Sequence, residues 1–231
     1  MSVASIVEIA RGPLPAWFPA DSDIERMLAA HQPAYRWRRP SYALQLLKDL
    51  ALLLPEGGCR VLDVGGGSGL IGQAIAHFFP GKRVTAIDVV DRFLPGVTIE
   101  HGTFDGRRIP HADGAFDCAL LNNVLHHVPS AMRRPLLAEA LRATGGRCVI
   151  VKDHLASSAL DHARLASLDF VGNLPFGGMV RAQYLCAEAW KRLFADTGCF
   201  AERFAPAPYR SGLASLAFPN RLEILFRLHS R

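Results

Sequence analysis

Residues 61–69 read VLDVGGGSG, an apolar run holding one acid that opens into four glycines and a serine. Only glycine takes left-handed backbone angles without a steric penalty, so such a run lets a strand turn sharply. The apolar helical pattern that follows from Leu70 points its first amides back at the turn, where a phosphate or a nucleoside can be held. This feature restricts the chain to folds in which a parallel strand feeds a helix around a ligand. A turn with a structural role alone asks for the same glycines.

The remaining chain fits that frame. From Arg60 onward short β-rich runs alternate with helical ones: strands over 60–64, 83–87, 97–100, 116–121 and 147–152, helices over 68–79 and 131–143. A further helix over 186–198 places Ala187, Trp190, Leu193 and Phe194 on one side, and two strands over 199–204 and 221–228 close the pattern. The expectation is an α/β fold: a seven-stranded, mostly parallel sheet with helices on both faces. One domain spans 1–231, made of a helical N-terminal cap over 1–55, a core over 56–152, an insertion over 153–185, and a C-terminal helix and strands over 186–231. In the cap, Asp21 or Ser22 is expected to cap one helix and a second runs from Ser41 to Leu54. The insertion is too long for a simple connection, so it reads as part helix and part lid, with Gly172, Gly177 and Gly178 as hinges.

Composition narrows the chemistry. The net charge of +5 permits an anionic partner, but the basic residues are spread along the chain. Their densest run, YRWRRP at 35–40, reads as a solvated helix start, with a dock for an acyl carrier protein, a phosphorylated substrate or RNA as the alternative. Five cysteines without a CxxC pair suggest neither a disulfide framework nor a zinc knuckle. No apolar run approaches membrane-spanning length and no signal-like segment opens the chain, so a cytoplasmic location is expected.

The glycine loop satisfies two patterns. From Gly67, GSGLIG is a dinucleotide fingerprint, with Asp88 about twenty residues on. From Asp63, DVGGGSG is the D-x-G-x-G-x-G of a nucleoside loop that serves a sulfonium donor. Asp63 favours the second. A carboxylate near the end of a central strand costs several kcal/mol unless something cationic meets it, and a sulfonium amino acid brings an ammonium where a nicotinamide dinucleotide does not.

Four segments in order then resemble a class I S-adenosylmethionine-dependent methyltransferase of the small-molecule type: VLDVGGGSG, VTAIDVVD, DGRRIPHADGAFDCALLNNVLHHVP and LLAEALRATGGRCVIVKD. The resemblance covers residues 56 to about 155 and implies that the last strand runs antiparallel. It further implies that Asp63, Gly65, Gly66, Gly67 and Gly69 cradle the methionine half and ribose of S-adenosylmethionine. Asp88, followed by Val89, takes the ribose diol, Asp105 the adenine amino group, and Asn122 lines the sulfonium end. Phe104 stands where the family usually has a small residue.

Methyl transfer from a sulfonium is an in-line displacement that needs alignment more than attack by the protein. A base is required only where the acceptor is protonated, as a phenol is. His126 and His127 follow the fourth strand and Asp153 and His154 the fifth; His127, His154 and Asp153 are the candidates, with packing beneath the cofactor as the alternative for the histidines. Asp153, His154, Asp161, His162 and Asp169 lack the tight spacing of a metal site, so no metal is expected. Trp17, Phe18, Tyr35, Trp37, Leu165, Phe170, Leu174, Phe176, Met179 and Tyr184 read as core packing or as walls of an apolar acceptor pocket. The expected reaction is methylation of an oxygen, or else a carbon, of a small hydrophobic metabolite, aromatic, polyketide-like or carrier-bound. A nicotinamide-dependent oxidoreductase and a non-catalytic binder of the same donor are the rivals. Nucleic acid methylation is disfavoured, because NNVLHH stands where base-amino enzymes of this fold carry [DN]-P-P-[YFW].

Overall fold

Cys59–Val64 (β2) is buried at five of its six positions, and Val149–His154 (β6) at all six. Strands buried on both faces need cover on both faces, which is what a parallel sheet between helical layers supplies. The computed structural model describes residues 6–37, 39–173 and 182–230. The chain runs β1 (Ile6–Ile9), α1 (Asp21–His31), α2 (Ser41–Leu53), β2, α3 (Leu70–Phe78), β3 (Lys82–Asp88), β4 (Glu100–Thr103), β5 (Cys118–Asn122), α4 (Ser130–Ala143) and β6. It continues through α5 (Ala159–Asn173), α6 (Ala187–Thr197), β7 (Cys199–Phe204), α7 (Gly212–Ala217) and β8 (Glu223–Ser230).

The strands form one sheet of eight, in the order β1-β7-β8-β6-β5-β2-β3-β4. All pairs are parallel except those of β8, which runs antiparallel to β6 and to β7, as the resemblance implied. The eighth strand is β1, which pairs with β7 from within the segment expected to be a purely helical cap. It escapes a pattern search because IVEI is only four residues long and alternates weakly at an edge. The strand expected over 97–100 forms instead at Glu100–Thr103, because the ladder sets Thr85 opposite Glu100 and Asp88 opposite Thr103. At α1 the cap is Ala20, without a side-chain hydrogen bond, and Asp21 stands in the first turn, where its charge suits the helix dipole.

Two apolar cores flank the sheet. One joins Leu121, Val149 and Val151 to Leu137, Trp190 and Phe194 of α4 and α6. The other joins Val61, Leu120 and Ile150 to Ile24, Leu47 and Ile75 of the first three helices. Helix α3 lies unusually close to the sheet, since a Cβ at Gly72 would stand 2.8 Å from Ile99 and 3.1 Å from Val84. That approach fixes the helix start, and with it the glycine turn. No helix among the described residues is long and apolar enough to cross a membrane.

Candidate active site

Strand order reverses between β2 and β5, whose chain continuations leave in opposite directions along the sheet. The crevice this opens beyond the carboxyl ends of the strands is where ligands bind in such sheets. It holds a cavity of about 790 Å³. One end is lined by Gly65–Gly67, Asp88 and Asp105, the other by Tyr42, His127, Met132 and Asp169.

The loop between β2 and α3 makes the first end. Gly65, Gly67 and Gly69 have φ of +74°, +57° and +74°, so the glycines are conformational requirements here. A Cβ at Gly65 would also meet Val124 at 2.6 Å. The Asp88 carboxylate pins the loop by accepting from the Gly67 amide at 2.8 Å and from the Val90 amide at 3.1 Å, with the Arg92 guanidinium 3.4 Å away. It stands at the cavity wall, available to a ribose diol.

Asp63 does not line the cavity, although the three glycines after it do. The carboxylate lies one layer behind, its Oδ2 against Gly66 and Gly72 at 3.2 and 3.4 Å from where their Cβ atoms would be. Asp63 was expected to meet the donor's ammonium directly or through water; the cavity is lined instead by the adjoining Val64 and Gly65–Gly67. Burial, and then the nearby Asp88 charge, push its pKa up to about 7.

Across the cavity Asp105 closes a turn by accepting from the amides of Arg107 and Arg108, both at 2.8 Å. Those two bonds hold its pKa below the usual carboxylate range. Val89, Phe104 and Gly106 line the same end, with Phe104 packed on the core behind it. Asn122 ends β5 and accepts from the Tyr42 hydroxyl at 2.8 Å. Tyr42 is thereby a cavity residue that helical periodicity alone had assigned to no site. Asn123 takes φ of +54° and accepts from Lys152 Nζ at 3.1 Å.

The candidate bases separate. His127 lines the cavity. His154 and Asp153 are buried at the end of β6 and line no part of it, which corrects their assignment as bases. Asp153 accepts from the amides of Leu125 and His154 and from His126 Nδ1, at 3.0, 2.7 and 2.6 Å. It thus fixes the turn that presents His127. His154 Nδ1 lies 3.2 Å from Glu223, and its carbonyl accepts from Trp190 Nε1 at 3.2 Å.

His126 was named from the sequence only as the neighbour of His127 after the fourth strand. Its ring sits between two carboxylates, Asp153 at 2.6 Å and Asp169 at 3.3 Å. Burial alone would lower its pKa, but the Asp153 and Asp169 charges outweigh that and raise it to about 9. Asp169 comes from α5 in the insertion and also accepts from the Tyr184 hydroxyl at 2.5 Å. The signal was an adjacent pair of histidines after one strand and KDH, three polar residues, ending the next.

The expected acceptor walls fare unevenly. Tyr35 lines the cavity, whereas Leu165 and Tyr184 are buried in a small separate core and Phe170 is exposed. Trp17 and Phe18 pack tilted and edge-on against Phe79, away from the cavity lining, and Trp37 is 92% exposed. Leu174, Phe176, Met179, Gly177 and Gly178 lie outside the described residues, and Gly172 falls within α5. Of the residues set aside as metal ligands, Asp161 is taken by Arg221 at 2.8 Å and His162 bonds the Ser158 carbonyl.

The fold agrees with comparisons to known proteins. Over 112 residues the chain is 35% identical to demethylspheroidene O-methyltransferase of Rhodobacter capsulatus, covering 45% of this chain and 28% of that protein. It is 34% identical over 121 residues to 3-O-methylredipecamine 2-O-methyltransferase of Carapichea ipecacuanha, covering 47% and 31%. The chain therefore spans only about a third of the length of these relatives. The crystal structure of magnesium protoporphyrin IX methyltransferase from Synechocystis with bound S-adenosylhomocysteine has the same fold, with a TM-score of 0.57 at 18% identity over 91% of this chain and 94% of that one. A family model described as a methyltransferase domain matches residues 35–201, and the chain belongs to that family, within the class I S-adenosylmethionine-dependent methyltransferases.

Proposed function

We propose that the chain transfers a methyl group from S-adenosylmethionine to an oxygen of a small, largely apolar acceptor. The observation that carries this is the single cavity of about 790 Å³, polar at the glycine-loop end and walled by Tyr42, Val128, Pro129, Met132 and Leu136 at the other. Donor and acceptor sites that share one cavity can align a sulfonium methyl with an incoming oxygen. The O-methyltransferase relatives support the choice of oxygen over carbon.

In this reading Asp88 holds the ribose diol, Asp105 faces the adenine, and the loop amides of Gly65–Gly67 bound the methionine half. The Tyr42–Asn122 pair marks the sulfonium end. His127 takes the acceptor's proton as the new oxygen–carbon bond forms and the carbon–sulfur bond breaks, leaving S-adenosylhomocysteine and an imidazolium. Asp153 acts through the turn it fixes. A carrier-bound acceptor gains little from the basic run, since Arg39 is engaged with Glu25 and Asp21.

The test is turnover with donor labelled in its methyl group and a panel of apolar phenols, catechols and enols. Label in an ether product is expected with at least one of them. Donor binding without product from any would leave a non-catalytic binding protein, and binding of NAD in its place would favour an oxidoreductase.

A further inference from the structure

Behind the acceptor end of the cavity, His126, His154 and Asp169 converge from three separate segments: the turn after β5, the end of β6, and α5. One ligand atom of each lies within 4.8 Å of the others, and all three residues are buried. Two imidazole nitrogens there, His126 Nε2 and His154 Nδ1, are buried without a well-aligned hydrogen bond among the described residues, their nearest carboxylate oxygens being Asp169 Oδ2 at 3.3 Å and Glu223 Oε2 at 3.2 Å. Buried polar atoms in a folded chain are paired as a rule, so two such nitrogens beside a carboxylate call for an occupant.

We infer that His126, His154 and Asp169 form a binding site for one divalent first-row transition-metal ion, of the zinc, iron or cobalt class. Two imidazoles and one carboxylate suit such ions, whereas magnesium and calcium prefer oxygen ligands throughout. The outer partners are of the kind that metal-binding histidines have. Asp153 holds His126 Nδ1 at 2.6 Å, which leaves Nε2 as the ligand atom. Tyr184 holds the Asp169 carboxylate at 2.5 Å. Tetrahedral ligands about 2.0–2.1 Å from zinc stand roughly 3.4 Å apart, so the three atoms close by about an ångström through side-chain rotation. Asp169 also lines the acceptor cavity. An ion here would therefore tie α5 of the insertion to the two strand ends and fix that wall of the pocket. The site is independent of the methyl-transfer reading.

The experiment is calorimetric titration of the full chain, freed of metal by chelator, with zinc chloride, alongside cobalt(II) absorption spectra. One ion per chain is expected, with intense visible bands of four- or five-coordinate cobalt. His126→Ala and Asp169→Asn should each weaken zinc binding tenfold or more. His162→Ala, an exposed histidine of the same helix, should leave it unchanged. Should either variant fold poorly, the wild-type cobalt spectrum decides on its own: the pale spectrum of the hydrated ion overturns the proposal. Absence of stoichiometric zinc binding overturns it too, as does binding that survives both substitutions.

Discussion

Asp63 is held with 2% of its surface exposed and a pKa of about 7, so folding favours its neutral form. The folded chain then binds more protons than the unfolded one between about pH 4 and pH 7. Stability falls as pH rises through that window and levels off above it. Asp63→Asn should remove the fall, leaving the ligand-free variant more stable than wild type by about 2 to 4 kcal/mol at pH 8 and nearly equal to it at pH 4.5. Urea midpoints across that range check this, and equal slopes for both proteins would contradict it. Asp88→Ala should weaken S-adenosylhomocysteine binding by about 1 to 3 kcal/mol, because charge-assisted bonds to the ribose and the tie to Gly67 go together. His127→Ala should lower turnover far more than donor affinity, and parallel losses in both would mark it as a packing residue.

Among the elements, the turn from β2 to α3 is the most demanding. Gly65→Ala puts a side chain on a left-handed residue and drives it into Val124 at 2.6 Å, so donor binding and thermal stability should both fall. Adding Val124→Ala should restore the steric part and leave the backbone part, roughly 1 to 2 kcal/mol. Melting curves of the single and double variants separate the two. Helix α1 is more than a pocket cover, since Ile24 and Leu28 are fully buried in the core. Leu28→Ala should cost about 2 to 5 kcal/mol of stability while leaving donor affinity near wild type. The elements legible in the sequence were those whose pattern is local. The apolar runs at β2, β3, β5 and β6 and the Gly198 stop after α6 fall within a residue or two of expectation. Strand β1 was not legible, because four edge residues carry too little pattern, and β4 shifted because its register is set by β3 rather than by its own β-branched run.

At the scale of the molecule, the donor end of the site could be read because one continuous segment builds its loop and Asp88 follows at a fixed remove. The acceptor end could not. Tyr42 meets Asn122 across eighty residues, and Asp169 meets His126 only once α5 folds back over β6. Such pairs leave no spacing in the chain, so His154 and Asp153 looked equivalent to His127 until the sheet placed them underneath. The cavity that results is the account's central claim: a donor site continuous with an apolar acceptor site. The most direct test is calorimetric titration of the wild-type chain with S-adenosylhomocysteine and, separately, NAD. The account predicts one molecule of S-adenosylhomocysteine bound per chain and no binding of NAD; binding of NAD alone, or of neither, would contradict it.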